Sequence, residues 1–204
     1  MRYDAVILAG GRARRLGGAP KEGVVVGDAT LLEHALAATV GAVLTAVVGP
    51  EDVRLPEHMR RTREDPPFGG PVAGIDAGLR TLDRPDAPPW VLVLAVDVPG
   101  AGAALPALRA AVAQGHPTDG AHLVRHGRAQ WLVGLYRRDA LAAALRDIDP
   151  HGAPVRALVA ALDLVTVPDD VGASDDVDTW EDRDRLTARQ QVHHTADDAE
   201  EEAR

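Results

Sequence analysis

The chain begins with the mostly apolar run Tyr3-Asp4-Ala5-Val6-Ile7-Leu8, followed at once by Ala9-Gly10-Gly11-Arg12-Ala13-Arg14-Arg15-Leu16-Gly17-Gly18-Ala19-Pro20-Lys21. The first run predicts a short buried strand, and the glycine-rich run predicts the loop that leaves it. Similar apolar runs alternate with Ala/Leu-rich stretches through the rest of the chain. Because such alternation is typical of βαβ units, the sequence predicts an α/β fold with a mainly parallel sheet.

The predicted elements cover most of the chain. Strands are predicted at residues 3–8, 43–48, 59–63, 91–96, 122–125, 131–136 and 164–167. Helices are predicted at residues 30–40, with Thr30 as the N-cap, and at residues 72–82, 103–113, 139–145, 154–162 and 178–189. We expect one domain over residues 1–189. Residues 190–204 are polar and acidic, and we expect a disordered tail there.

Composition narrows the functional classes. The length of 204 residues suits one α/β domain, and a hydrophobic fraction of 46% is enough for a full core. The absence of cysteine excludes disulfides, thiolate catalysis and cysteine-ligated zinc. A net charge of −9 without a long basic stripe argues against binding to bulk nucleic acid. Since the sequence also has no signal peptide and no apolar run long enough to span a bilayer, we expect a soluble cytoplasmic protein without membrane contacts.

Lys21 is the only lysine among 22 basic residues. A lysine ammonium is a compact point charge, whereas arginine carries a broad planar fork, so lysine suits a crowded phosphate. The glycines before it let backbone N–H groups approach an anion closely. We therefore expect this loop, with Arg15 and Lys21, to meet the charge of a triphosphate. Neither the P-loop nor the dinucleotide-binding pattern fits, because Lys21 is followed by Glu22 and Gly10-Gly11-Arg12 breaks the required glycine spacing.

A second charged position stands at the end of the most apolar predicted strand. Residues 91–96 are expected in the buried centre of the sheet, and Asp97 follows them, with Pro99 closing the strand. Because open α/β sheets bind ligands beyond the carboxyl ends of their strands, Asp97 is expected at the same edge as the glycine-rich loop. A carboxylate there can hold Mg²⁺ together with phosphate oxygens. The alternative is an aspartate that only caps a turn.

Several motifs together resemble one family. They are Leu8-Ala9-Gly10-Gly11 with Arg15-Leu16-Gly17-Gly18 and Lys21, Gly70-Pro71-Val72-Ala73-Gly74, Asp97-Val98-Pro99, and Asp176-Val177-Asp178-Thr179-Trp180-Glu181-Asp182. The set resembles the nucleotidyltransferases related to molybdenum cofactor guanylyltransferase, over nearly the whole chain except the tail. This resemblance implies a three-layer, Rossmann-like fold of the nucleotide-diphospho-sugar transferase type. The chain departs from the family pattern at Val98, and at Trp180, where the family usually has proline.

The resemblance also implies roles for individual residues. Nucleotide contacts are expected at Leu8, Ala9, Gly10, Gly11, Arg15, Lys21, Asp65, Gly74 and Asp97. The catalytic residues would be Lys21, which stabilises charge on the transferring phosphoryl group, Arg15, which holds the β- and γ-phosphates, and Asp97. Mg²⁺ would be held by Asp97 and Asp178, and whether Asp178 or Asp176 is the second ligand stays open. The alternative for Asp178 is a residue that only caps the last helix.

The reaction implied by the resemblance is a Mg²⁺-dependent nucleotide transfer. A phosphate monoester on the acceptor would attack the α-phosphorus of a nucleoside triphosphate, and pyrophosphate would leave. By resemblance, Gly10-Gly11 favours GTP, which makes GMP the transferred group and molybdopterin the expected acceptor. Three alternatives stay open: molybdopterin with CTP, a sugar phosphate or cobinamide phosphate as acceptor, and a non-catalytic nucleotide-binding module. Transient contacts with other cofactor-biosynthesis proteins or with molybdoenzymes are a further expectation.

Overall fold

The computed structural model of the protein describes residues 1–10, 16–17, 20–49, 55–56, 59–114 and 117–202, with side chains as far as residue 191. Its strands are β1 (Tyr3–Leu8), β2 (Val25–Val26), β3 (Ala29–Thr30), β4 (Thr45–Val48), β5 (Met59–Thr62), β6 (Trp90–Ala95), β7 (Gly120–Arg125), β8 (Arg128–Arg137) and β9 (Leu164–Pro168). Its α-helices are α1 (Leu31–Ala38), α2 (Pro71–Thr81), α3 (Leu105–Ala113), α4 (Arg138–Arg146), α5 (Val155–Val159) and α6 (Trp180–Glu202). Short 3₁₀ helices cover Lys21–Gly23 and Ala101–Ala104.

Within the described residues, seven strands form one sheet in the order β5-β4-β1-β6-β8-β7-β9. Neighbouring strands are parallel except at β8, which runs antiparallel to both β6 and β7. A separate antiparallel hairpin is formed by β2 and β3. The predicted α/β class with a mainly parallel sheet is confirmed. None of the helices in this part of the chain combines the length and the apolar character needed to cross a membrane.

Most predicted elements are present within a few residues of their expected ends. β1 covers the predicted strand without change, and α1 begins as expected at a capping box around Thr30. The Glu33 amide donates to the Thr30 hydroxyl at 3.2 Å, and the Thr30 amide donates to the Glu33 carboxylate at 2.7 Å. These reciprocal bonds satisfy amides that would otherwise lack a partner at the helix start, so they fix where α1 begins.

No predicted element corresponds to the β2–β3 hairpin. Its turn contains Gly27, whose φ of +65° lies in the left-handed region that glycine adopts without strain. The stretch Val25-Val26-Gly27-Asp28-Ala29 has the valines and the Gly-Asp turn of a hairpin, but strands of two residues are too short to show alternation. The hairpin is completed by tertiary contact, because the Gly27 amide donates to the Thr187 hydroxyl of α6 at 3.1 Å.

The last helix is longer than predicted. α6 runs to Glu202, whereas residues 190–204 are expected from their polar, acidic composition to be disordered. Alanine, glutamine and glutamate recur in this stretch, and these good helix formers allow the helix to continue past residue 189. The division into a domain over residues 1–189 and a tail over residues 190–204 stays a prediction.

Helices cover both faces of the sheet. Val6 and Leu8 of β1 belong to the apolar cluster that includes residues of α2, α4 and α5. Ala5 and Ile7, which alternate with them, belong to the clusters that include residues of α1 and α3. The central strands are therefore apolar on both faces, as expected for a parallel sheet between two helical layers.

Two glycines let α2 approach the sheet closely. A Cβ atom at Gly78 would lie 2.6 Å from Cγ1 of Val6, and a Cβ atom at Gly74 would lie 2.9 Å from Cδ2 of Leu8 and 3.7 Å from Cγ1 of Val48. Since Leu8 and Val48 are the last residues of β1 and β4, the first turn of α2 lies over the carboxyl ends of these strands. This packing sets the position of the candidate site.

A buried ion cluster holds the opposite end of β1. Asp4 has no exposed surface, and Arg84 donates to its two oxygens at 2.8 and 2.9 Å. Arg138 also donates to this carboxylate, and the Leu44 amide adds a bond at 3.1 Å. Because two cations surround one carboxylate, its charge ties the start of β1 to the turn after α2 and to the start of α4.

Candidate functional site

The carboxyl ends of β1, β4 and β6 meet the first turn of α2 around a cavity of about 550 Å³. Residues that leave the strands line it together with residues from the start of α2: Leu8, Gly10, Val48, Asp97, Gly70, Pro71 and Gly74. The amides at the start of a helix carry partial positive charge, which favours an anion or a carbonyl oxygen nearby. The position agrees with the rule that open α/β sheets bind ligands beyond the carboxyl ends of their strands.

Lys21 stands at this cavity between two carboxylates. Its Nζ lies 2.7 Å from Oδ2 of Asp97 and 2.8 Å from Oδ1 of Asp178. Partial burial would lower the pKa of Lys21, but the charges and hydrogen bonds of the two aspartates outweigh burial and hold that pKa above its ordinary value. Lys21 is therefore a cation at neutral pH, and it joins the end of β6 to the start of α6.

Asp97 and Asp178 are placed to share a small cation, because they already share one ammonium. The Val177 amide donates to the Asp97 carbonyl oxygen at 2.9 Å, which keeps the two segments together. Mg²⁺ usually takes one or two protein carboxylates and completes its shell with phosphate oxygens and water. Two carboxylates fit that requirement. In the described ranges no three His, Cys, Asp or Glu side chains form a group that could hold a metal ion.

Asp176 lies within the electrostatic reach of this pair. Burial raises the pKa of the Asp176 carboxyl, and the negative charges of Asp178 and Asp97 raise it further. The cation Lys21 contacts Asp97 and Asp178 directly. Asp176 and Asp178 were the two candidates for the second Mg²⁺ ligand. Of these, Asp178 is therefore the one that shares a cation with Asp97.

The remaining predicted residues lie in different surroundings. Three of them line the cavity: Leu8, Gly10 and Gly74. Ala9 is buried, and its amide donates to the Val48 carbonyl oxygen at 2.8 Å, so Ala9 extends the pairing of β1 with β4. Gly11 and Arg15 lie outside the described residues. The ligand contacts of all these residues stay predictions.

Asp65, another predicted nucleotide contact, does not line this cavity. It is exposed and borders a separate hollow along the exposed side of α2, with Asp76 and Arg80. Its neighbour Glu64 lines both this hollow and the cavity, and Phe68 lines the cavity. Neither was predicted, although Phe68 carries a signal as the only phenylalanine of the chain, set in a Pro/Gly-rich loop.

A second cavity, of about 400 Å³, adjoins the first. Asp97 and Leu132 line both cavities. The other walls of the second cavity include Gln130 and Trp131 at the start of β8 and Arg156 of α5. Since Asp97 borders both spaces, groups held in the two cavities would meet beside this carboxylate and Lys21. The arrangement suits a reaction between two substrates.

The loop that leads to Asp178 is held by Asp169. The Asp169 carboxylate accepts hydrogen bonds from the Ala173 amide at 2.8 Å, the Ser174 amide at 2.9 Å and the Ser174 hydroxyl at 2.6 Å. Burial alone would raise the pKa of Asp169, but these bonds and the charge of Arg125 hold the pKa below its ordinary value. The ionised carboxylate is therefore the form that fixes the loop.

A second carboxylate anchors the same loop to its neighbours. Asp175 accepts from the guanidinium of Arg125, at the end of β7, and from that of Arg189 in α6, each at 3.0 Å. Because Asp175 comes three positions before Asp178, these bonds restrict where the Asp178 side chain can lie.

Asp169→Asn should make the protein less stable at neutral pH, by about 1–3 kcal/mol for the loss of charged hydrogen bonds. A depressed carboxyl pKa contributes stability above the unfolded value of about 3.9, and this contribution is lost as pH falls through the folded pKa. The difference in free energy of unfolding between wild type and variant should therefore be largest near pH 7 and shrink below about pH 4. Urea denaturation across this range measures it. The exposed neighbour serves as control, since Asp170→Asn should have little effect, and a difference that is constant with pH would contradict the assignment.

Solved nucleotidyltransferases share this fold. Molybdopterin-guanine dinucleotide biosynthesis protein A from Archaeoglobus fulgidus matches with a TM-score of 0.67 at 19% identity, covering 93% of this chain and 99% of that one. The 2-C-methyl-D-erythritol 4-phosphate cytidylyltransferase from Thermus thermophilus matches with a TM-score of 0.70 at 17% identity, covering 94% and 100%. At these identities the likeness shows the fold alone, and it confirms the nucleotide-diphospho-sugar transferase type.

Sequence comparison gives the class and then the family. A molybdenum cofactor guanylyltransferase from Acidiphilium cryptum is 35% identical over 153 residues, covering 72% of this chain and 74% of that protein. A probable molybdenum cofactor guanylyltransferase from Chloroflexus aggregans is 32% identical over 155 residues, covering 72% and 71%. With this fold and this site, the protein is an enzyme of the nucleotidyltransferase class. The profile of the MobA-like NTP transferase domain matches residues 5–170, and the chain belongs to that family.

Proposed function

We propose that this enzyme transfers GMP from GTP to molybdopterin in the presence of Mg²⁺, with release of pyrophosphate. The observation that carries the proposal is the Lys21 ammonium, held by Asp97 and Asp178 where two cavities adjoin. GTP and molybdopterin are favoured because a 35% identical relative is named a molybdenum cofactor guanylyltransferase. The aspartate pair supports Mg²⁺, since two carboxylates with phosphate oxygens suit that ion.

In this proposal the residues of the chain position the reacting groups and neutralise charge. The phosphate monoester of the acceptor is already an anion, so it attacks the α-phosphorus without a general base. The new O–P bond forms as the bond to the β-phosphate oxygen breaks, and pyrophosphate carries away the negative charge. Lys21 donates to an oxygen of the transferring phosphoryl group and stabilises the charge that develops there. Asp97 and Asp178 would hold Mg²⁺ in place of the Lys21 ammonium that now lies between them, and the ion when bound would neutralise phosphate charge.

Each cavity takes one substrate in this scheme. GTP occupies the cavity beside Gly10, with its phosphates toward Lys21. The acceptor occupies the second cavity, where Trp131 offers an aromatic surface and Arg156 is an exposed cation for an anionic group. The attacking oxygen and the α-phosphorus then meet beside Asp97, which lines both spaces.

The test is a reaction with defined substrates. Purified enzyme is incubated with Mg²⁺, each of GTP, CTP, ATP and UTP, and either molybdopterin, a sugar phosphate or cobinamide phosphate. Pyrophosphate release and the mass of the product are followed. We expect pyrophosphate and a guanine dinucleotide product only with GTP and molybdopterin. Transfer to another acceptor, or transfer from CTP, would show that the proposed substrates are wrong and that the proposed class of reaction is right. Binding of a nucleotide without any transfer would favour a non-catalytic module.

Asp97→Asn should weaken the response to metal. Loss of one charged ligand worth about 1.4 kcal/mol or more would raise the Mg²⁺ concentration for half-maximal pyrophosphate release by about tenfold or more. A Mg²⁺ titration at saturating GTP measures this shift. Asp147→Asn, at an exposed position after α4, is the matched control and should leave the titration unchanged. An unchanged titration for Asp97→Asn would show that Asp97 is not a ligand of the metal ion.

A further inference from the structure

Strand β8 contains a bulge where it passes the second cavity. His122 of β7 pairs with Gly134 of β8, whereas the next residue of β7, Leu123, pairs with Gln130. One step along β7 therefore corresponds to four steps along β8, so within these two described strands residues 131–133 are left without a partner in β7. We call these three residues the β8 bulge. Bulges bend a strand, and beside active sites they often redirect a side chain.

Two side chains of the β8 bulge border the cavities of the site. Trp131 lines the second cavity, and Leu132 lines both cavities. Both side chains are half-buried, because they also pack against the apolar cluster that includes residues of α2, α4 and α5. The conformation of the bulge therefore decides the shape of the second cavity.

A hydrogen bond within β8 holds the bulge. The Tyr136 hydroxyl donates to the Trp131 carbonyl oxygen at 2.6 Å. In a straight strand, two residues five positions apart would be separated by about 17 Å, at about 3.3 Å per residue, which is beyond the reach of a tyrosine side chain. The bond can form because the bulge shortens this separation. Since Tyr136 is only 2% exposed, the core fixes its ring, and the ring in turn fixes the backbone of Trp131.

Gly134 leaves the space that this arrangement needs. A Cβ atom at Gly134 would lie 2.6 Å from the Tyr136 hydroxyl oxygen and 2.7 Å from its Cζ, so only glycine lets the Tyr136 ring lie across this position. A second ring contacts the indole of Trp131 itself. The buried ring of His122 lies edge-to-face against it, with centroids 6.4 Å apart and ring planes at 62°. The backbone and the side chain of Trp131 are thus both held by neighbouring residues of the sheet.

We propose that Tyr136 and Gly134 are positioning residues, which hold Trp131 as a rigid surface on which a planar ring of the acceptor stacks. The assignment rests on the proposed function, because it takes the second cavity as the acceptor site. An indole offers its flat face to a heteroaromatic ring such as a pterin, whereas a sugar phosphate has no such ring. A side chain that is already held loses little freedom when a ligand binds, which raises affinity. The site therefore selects a phosphate monoester that carries a flat heterocycle.

The first experiment compares Tyr136→Phe with Tyr3→Phe. Both variants remove one hydroxyl from a buried tyrosine, and the sequence contains no other tyrosine. In Tyr136→Phe, the KM for molybdopterin should rise by about fivefold, as for the loss of one hydrogen bond, while the KM for GTP and kcat stay unchanged. Tyr3→Phe should change neither KM, because Tyr3 begins β1 at the opposite end of the sheet. Pyrophosphate release at varied molybdopterin and at varied GTP gives these constants.

A double-mutant cycle separates positioning from a general effect on stability. Trp131→Ala should raise the KM for molybdopterin by about tenfold or more, the usual loss for one stacked ring. When Tyr136→Phe is added to Trp131→Ala, no further rise is expected, because the indole that Tyr136 holds is already absent. Additive effects of the two substitutions would overturn the assignment, since Tyr136 would then act on the acceptor independently of Trp131.

Fluorescence tests how firmly the indole is held, without any substrate. The substitutions Trp90→Phe and Trp180→Phe leave Trp131 as the only tryptophan, and neither replaced residue lines the two cavities. In this background, Tyr136→Phe should lower the anisotropy of the Trp131 emission and increase its quenching by acrylamide. Unchanged anisotropy and quenching would show that the hydroxyl does not hold Trp131, and the positioning role would be wrong.

The failure of this assignment differs from the failure of the proposed function. If the wild-type enzyme uses molybdopterin and the KM is unaltered in Trp131→Ala, only the stacking role is wrong. Transfer to a sugar phosphate and not to molybdopterin would also overturn that role. If no phosphate monoester accepts a nucleotide, the proposed function fails, and the acceptor role of Trp131 fails with it. Should Tyr136→Phe fail to fold, equal KM values for molybdopterin in the wild type and in Trp131→Ala would overturn the proposal.

Discussion

The Lys21→Met variant should transfer nucleotide about 100-fold more slowly than the wild-type enzyme, or worse. Removal of one donor that is aimed at developing charge typically costs a factor of 10² to 10³ in turnover. Lys21 borders the cavity at the carboxyl ends of β1, β4 and β6, and Asp97 and Asp178 hold its ammonium at 2.7 and 2.8 Å. Methionine has a similar length and no charge, so it keeps the packing and removes the ammonium.

Turnover is measured as pyrophosphate release at saturating GTP, Mg²⁺ and acceptor. Lys21→Arg should lose about tenfold, because it keeps the charge but replaces a compact ammonium by a planar fork between the same two carboxylates. Arg80→Met is the matched control, since Arg80 is 77% exposed and pairs with Asp76 on α2. It should turn over at the wild-type rate. Near wild-type turnover in Lys21→Met, with an unchanged melting temperature, would remove this residue from the mechanism.

The largest effect on stability is expected at the buried end of β1. Asp4→Asn should lower the free energy of unfolding by about 3–5 kcal/mol, the usual cost of breaking a buried ion pair from one side. The variant keeps the shape of the side chain but leaves the Arg84 and Arg138 guanidinium groups without their shared counter-charge. Because whole proteins are stable by only about 5–15 kcal/mol, the loss would be a large fraction of the total.

Urea denaturation at pH 7 measures this loss. Asp86 provides the control, because it pairs with the same Arg84 at 3.4 Å but is 76% exposed. Asp86→Asn should therefore cost about 0–1 kcal/mol, as for other exposed ion pairs. If Asp4→Asn and Asp86→Asn lower the free energy of unfolding equally, the burial of Asp4 does not determine how much it stabilises the protein.

The local sequence pattern was sufficient to predict the elements whose structure depends on residues that are close in sequence. Tyr3–Leu8 is apolar enough to be recognised as a strand, and Thr30 carries its capping partner three residues away. The nearness of Asp97 to the glycine-rich loop follows from topology, because the carboxyl ends of parallel strands share one edge. These features need no knowledge of distant contacts.

Features that depend on distant contacts could not be predicted in the same way. Asp4 occupies a strand that is otherwise apolar, and its partners Arg84 and Arg138 come 80 and 134 positions later. Glu64 borders both the cavity and the hollow beside α2, whereas Asp65 borders the hollow alone, and this difference arises in a turn where Phe68 has a φ of +65°. No pattern of residue types specifies that turn.

The antiparallel direction of β8 has a consequence for how such enzymes diverge. Its first residues extend past the carboxyl end of β6, where Leu94 of β6 pairs with Val133 of β8, so Gln130 and Trp131 reach the second cavity as they enter a strand. The first cavity, beside Gly10, is built mainly from residues that leave strands and from the start of α2. Apart from Ala95, Asp97 and Leu132, which line both, the two cavities are lined by different residues. If the second cavity holds the acceptor as proposed, mutation in β8 and α5 could change the acceptor while the residues around the first cavity are inherited unaltered.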